Sequence, residues 1–279
     1  MTVAVLAGPA DVDGFRGAAR RLLASGVPPE AVHWVVHGAA SLPWDADESP
    51  AAQVPVTPFH VPAGFVALCE TTLLHRDPQR FALMYRLLWR LRHEPGFWCD
   101  ELDPERRRAE QLAREVRRDI HKMRAFVRFT PVDEPGGERH IAWFEPAFHI
   151  VEANAAFFMR RFAQMRWAIL TPERSVAWDG ERLSSGPGAH RRDAPAPDAG
   201  AALWLTYYEH IFNPARLKLD AMVKEMPRRY WANLPEAALI APLAAAASAR
   251  SEAMVAAEAT APRRTKPMAA PKRDVTPAA

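Results

Sequence analysis

Two rhythms of apolar and polar positions run along this chain. Near the start, "TVAVLAG" (2–8) and "AVHWVV" (31–36) are short apolar runs of strand character. Between them, "DVDGFRGAARRLLASG" (11–26) has helical periodicity, with Asp11 as its cap and Gly26 as its stop. This strand–helix–strand order predicts a small α/β unit. The two strands could equally be neighbours in a larger mixed sheet. From Pro62 to Leu91 two helices follow, broken near Asp77-Pro78; Phe81, Met84, Tyr85, Leu88 and Leu91 recur at helical spacing as a core stripe. A third helix opens at Asp103-Pro104, a capping residue followed by proline at the first helical position, and runs to about Lys122. On a wheel of 100° per residue, Leu112, Val116, Ile120 and Met123 share one face, while Arg107, Arg114, Arg118 and His121 share the opposite one.

Period-two patterning then takes over. "AFVRFTPV" (125–132) and "HIAWFEP" (140–146) flank the turn "DEPGGE", and "WAILTPERSVAWDG" (167–180) is a second hairpin around Pro172. An amphipathic helix (150–165) lies between them. Residues 38–60 and 184–200, rich in Pro, Ala, Asp and Gly, read as loops. Helices are predicted over 202–212 and 214–226 and, alanine-rich, to about Glu258. The fold class is α+β: a mixed, mostly antiparallel sheet with two hairpins, surrounded by helices. One domain spans 1–258, and a disordered basic Ala/Pro-rich tail or linker spans 259–279.

Composition changes this picture little; charge changes it more. In 279 residues the formal net charge is +3. Yet 103–128 alone holds nine Lys and Arg against five Asp and Glu, a local excess of +4. Such a concentration is the footprint of a phosphate-binding surface; a solvated helix face gives the same count. Pairing of Glu110 with Arg114 and of Glu115 with Arg118 would absorb part of it. Arg124 and Arg128, four residues apart on one apparent strand and so on one face by period two, would extend the basic stripe. "PRRYW" sets Arg228 and Arg229 before Tyr230 and Trp231, charge for phosphate and rings for stacking; the alternative is that the rings are buried anchors. With Lys122, Arg160 and Arg161 these residues make the candidate nucleic-acid set.

Catalytic signals are sparser. The two cysteines, Cys69 and Cys99, form no CxxC, and no His/Cys cluster has metal-ligand spacing, so no metal or cofactor is expected. No GxSxG, GxGxxG or P-loop occurs. Among carboxylates, Glu145, Glu173 and Asp179 at strand ends and turns could work with His121 or His149 as an acid–base pair, or serve only as turn residues. No run approaches the ~18 apolar residues of a membrane span, and no signal-peptide pattern opens the chain, so a cytoplasmic location is expected.

"RRDIHKMRAFVRF", "AWFEPAFHIVEANAAFFMRRFAQMRWAILTPERSVAWDG", "FNPARLKLDAM" and "EMPRRYWANLPE" together resemble a bacterial domain-of-unknown-function family described as DNA metabolism or DNA repair proteins. The resemblance covers most of the chain, to about Glu258. It implies a genomic neighbour, a radical-SAM protein, and in some members fusion ahead of an X-type uracil-DNA glycosylase domain. The cysteine-rich start of that glycosylase is absent here, so neither its chemistry nor its iron–sulfur cluster carries over. The expectation is a DNA-binding accessory protein of DNA repair or metabolism, standing alone or separated from a glycosylase half. Its partners would be DNA and a radical-SAM or glycosylase protein. An enzyme acting on a damaged or modified nucleotide, and a protein-interaction adaptor, are the alternatives.

Overall fold

A computed structural model describes residues 1–37, 59–135, 137–195, 205 and 219–246. Most of the expected loop over 38–60, the helix over 202–212 (residue 205 excepted), the expected alanine-rich helix beyond residue 246 and the tail over 259–279 lie outside them. Strand β1 (Thr2–Leu6) pairs in parallel with β2 (Val32–Val36), and helix α1 (Val12–Ala24) is the crossover between them. Asp11 caps α1, accepting from the Gly14 amide at 2.8 Å and, through its other oxygen, from Ala7 at 2.9 Å. Helices α2 (Ala63–Thr72), α3 (Arg80–His93) and α4 (Pro104–Phe126) follow as the spacing predicts. Asp103 caps α4 by accepting from Glu105 and Arg106, with Pro104 at the first helical position.

The second sheet has the order β3 (Thr130–Glu134), β4 (Gly137–Trp143), β5 (Trp167–Leu170), β6 (Arg174–Trp178), β7 (Leu183–Pro187). Every pair is antiparallel except β4–β5, which are parallel and joined by helix α5 (Val151–Arg161). Both expected hairpins are present. The described strands form two separate sheets, with the parallel pair apart from the five-stranded one. Helix α6 (Leu219–Glu225) and 3₁₀ turns at Arg228–Asn233 and Pro235–Leu239 follow, and residues 240–246 are helical.

Two expectations are corrected. The stretch 125–132 is strand only from Thr130 onward. α4 continues through Phe126, because nothing between Lys122 and Phe126 breaks the helix, and the chain turns extended only at Val127. Arg124 therefore sits on the last turn of α4 and Arg128 in the link before β3, so the two do not share a strand face. And 183–187 is a strand, not a loop. Its sequence, LSSGP, has weak strand propensity, but as an edge strand it needs a ladder on one side only.

α4 joins two cores. Ala109, Leu112 and Ala113 pack with Leu6, Phe15, Met84 and Tyr85 in the core under the N-terminal unit. Further along the same face, Val116 and Met123 pack with Ile150, Phe158, Trp167 and Ile169 beneath the five-stranded sheet. The larger aliphatic and aromatic side chains buried this fully contribute about 1.5–3 kcal/mol each, the alanines less. Clamped at both ends, α4 presents its opposite face to solvent as a fixed ridge about 35 Å long at 1.5 Å per residue. Among the described residues no helix is long and apolar enough to cross a membrane.

Candidate nucleic-acid interface

Arg107, Arg114, Arg118 and His121 all stand exposed on the open face of α4, as the wheel predicts. Arg117, which the wheel reading left out, joins them beside His121, four residues away; the helical period was the signal that could have found it. The expected neutralising pairs do not form. Glu110 turns to Arg106 at 3.0 Å. Glu115 accepts from Gln111 at 2.5 Å and pairs with His75 at 3.2 Å. Those bonds, Gln111 first, hold the Glu115 carboxyl below its usual range against the opposing effect of burial. Arg114 reaches only the Gln111 amide oxygen, at 2.8 Å. Among the described residues, Arg107, Arg114, Arg117 and Arg118 have no carboxylate within 4.0 Å.

The fifth acidic residue of this stretch, Asp119, is 2% exposed. Its Oδ2 accepts from the Ala147 and Phe148 amides at 2.7 and 3.1 Å, and its Oδ1 from Tyr230 Oη at 2.9 Å and Arg229 at 3.2 Å. Burial pushes this carboxyl above the usual range, against the pull of Tyr230 and the other donors. The ridge thus loses three of its acids to other partners. The helical period sets Asp119 on the core face, seven residues from Leu112, but its partner Tyr230 lies 111 residues away.

Both flanks of the ridge carry further candidates. On one side Arg124 donates to Asn154 of α5 at 2.6 Å and lies 4.6 Å from the Phe157 ring centre. Arg161 is one turn beyond Phe157 on α5. With Arg160, His140 and Arg166 it lines an open concavity of about 550 Å³. On the other side Lys122 is tied to Glu225 of α6. Arg229, 52% exposed, bridges to Asp119. Tyr230 is 2% exposed and stacks on Phe144, ring centres 5.4 Å apart; the segment is anchored by it, as the alternative reading of PRRYW holds. Burial, then the charge of Asp119, pushes its hydroxyl up to about 12. Trp231 is half-buried and donates to the Met226 carbonyl at 2.9 Å, with Arg228 over its ring. Arg128 is bound to the Ala125 carbonyl and, at 3.0 Å, to the buried Glu236.

The acid–base candidates divide. His121 is on the ridge. Glu145 accepts from the Trp143 indole at 2.8 Å. Asp179 accepts from the Arg182 and, next, the Glu181 amide, bonds that lower its carboxyl, as a turn carboxylate does. His149 and Glu173 converge at 3.2 Å. Among the described residues no group of three or more His, Cys, Asp or Glu has the arrangement of a metal site.

Fold and surface thus define an α+β protein that displays, on a doubly packed helix, an arginine ridge with no carboxylate within 4.0 Å among the described residues. The chain belongs to the family described as Domain of unknown function (DUF4130), whose model matches residues 78–236, more than half of it. The match takes in α3, the ridge, the five-stranded sheet and the PRRYW segment. No curated protein matches, and no solved structure matches.

Proposed function

We propose that this protein is a nucleic-acid-binding factor, acting as an accessory protein in DNA repair or DNA metabolism. The observation that carries the reading is the ridge. Arg107, Arg114, Arg117 and Arg118 lie within about 17 Å of helix axis, exposed and, among the described residues, without a carboxylate within 4.0 Å, while Glu110, Glu115 and Asp119 are engaged elsewhere. A duplex carries one phosphate charge per ~1.7 Å, so a rod of cations on this scale matches it without base-specific contacts. Arg124 and Arg161 on one flank, and Arg228 and Arg229 on the other, extend the footprint. Arg128, Lys122 and Tyr230, bound within the fold, serve to hold those flanks in place. The radical-SAM or glycosylase partner belongs to the same proposal and rests on the family resemblance.

The test is direct binding of labelled single- and double-stranded DNA. With four phosphate contacts, affinity for duplex should fall roughly 10²-fold between 50 and 200 mM salt. Retention of neither form at ~50 mM salt would sink the reading.

A further inference from the structure

A second site lies off the ridge, in a cleft of about 500 Å³ between the β1–α1 turn and the β5–β6 turn. Several constraints fix its walls. Arg80, buried, donates to Leu73 and Asp77 carbonyls at 2.9 Å and to the Pro9 carbonyl at 2.7 Å, pinning the turn after β1 to α3. On the far wall Ala189 donates to the Thr171 carbonyl, and Gly188 packs so closely on Pro172 that a methyl group there would overlap its carbonyl. That contact sets the turn bearing Glu173.

At the centre are three side chains in series. Arg76 Nη1 donates to Glu173 Oε1 at 2.5 Å, and Glu173 Oε2 is 3.2 Å from His149 Nδ1. A carboxylate can only accept, so Nδ1 carries the proton in this contact. Burial, then the Arg76 guanidinium, lowers the His149 basicity below its ordinary value, with Glu173 pulling the other way. The ring is therefore neutral at pH 7, with its lone pair on Nε2. That atom has no partner among the described residues and is not sealed from solvent, although the side chain is only 13% exposed. An oriented, unoccupied acceptor facing a cleft is a recognition group.

The charge of the walls selects the ligand. Arg76 and Arg174 are each bound to a carboxylate, Glu173 and Glu152, and Asp11 adds a third negative charge. With buried Arg80 behind the wall, near enough to act on His149, three cations face three anions, so no net positive charge is left to draw a phosphate. Pro146, Phe148 and Pro172 supply apolar wall, and Phe148 is itself backed by the His75 ring at 4.3 Å. We propose that this cleft takes an uncharged, nucleobase-sized planar heterocycle whose N–H edge donates to His149 Nε2. Glu173 and Arg76 act as positioning residues.

The inference does not depend on the ridge, and the test separates them. The four deoxynucleosides are titrated at up to about 5 mM, enough to occupy a site of ~1 mM affinity, with the His149 ring and Thr171 methyl signals followed by NMR. At least one nucleoside should shift both signals saturably, and its 5′-monophosphate should bind more weakly. The Thr171 response should vanish in His149→Leu and persist in the variant Arg114→Ala/Arg117→Ala/Arg118→Ala. Thermal melting confirms that each variant is folded, and Glu173→Gln, with His149 intact, should weaken binding severalfold. No shift with any nucleoside, tighter binding of the monophosphate, or an undiminished Thr171 response in folded His149→Leu overturns the proposal.

Discussion

Tyr230 Oη donates to Asp119 Oδ1 at 2.9 Å, joining two residues 111 positions apart in the chain. This bond seats the PRRYW segment against α4. It also supplies one of four donors to a carboxylate that the fold has taken out of water. Tyr230→Phe leaves the ring in place and removes the donor, which should cost about 1–3 kcal/mol in urea unfolding. Asp119→Ala strands all four donors and should cost more, about 3–5 kcal/mol. Equal costs for the two variants would contradict this hierarchy.

Gly188 should tolerate no side chain. A methyl group there meets the Pro172 carbonyl, which is backbone and cannot swing aside. Gly188→Ala should lower stability by about 1–3 kcal/mol and disturb the Glu173–His149 contact, read as a changed His149 ring signal. Gly186, with open space around its Cα, is the matched control and should accept alanine without that change.

Acid should weaken the fold through His149. Its folded-state basicity is depressed, by burial first and by Arg76 second, with Glu173 opposing. The unfolded chain then binds a proton, near pH ~6.5, that the folded chain refuses. Stability from this site is complete above that pH and is lost as pH falls below it. His149→Gln should flatten the fall in melting temperature between about pH 7.5 and 5.5, a window spanning ~6.5. An unchanged slope would contradict the assignment.

Much of this was legible where local rules dominate. The Asp103-Pro104 cap and the apolar period of Leu112, Val116 and Met123 located α4, and the same wheel turned its arginines outward. Both hairpins followed from alternation and turn residues. What was not legible depended on distant partners. The wheel sets Asp119 seven residues from Leu112, on the core face, but its donors, the Tyr230 hydroxyl and the 147–148 amides, come from distant parts of the chain and could not be read locally. The end of α4 at Phe126 was hidden because "AFVRF" suits both a helix end and a strand start. Strand β7 was hidden because LSSGP is carried by its neighbour's ladder. His149 with Glu173 was legible only as one of several carboxylate–histidine combinations, since 24 residues, an entire helix and a strand separate the two.

The account rests most directly on the ridge, and the salt dependence of duplex binding measures it. Arg114→Ala/Arg117→Ala/Arg118→Ala removes exposed side chains that, among the described residues, hold no carboxylate, so the fold and its melting temperature should be unchanged within about 0.5 kcal/mol per site. Its plot of log affinity against log salt should be shallower by about 2.7, at ~0.9 per lost phosphate contact. The same affinity and the same slope as the parent protein would contradict it.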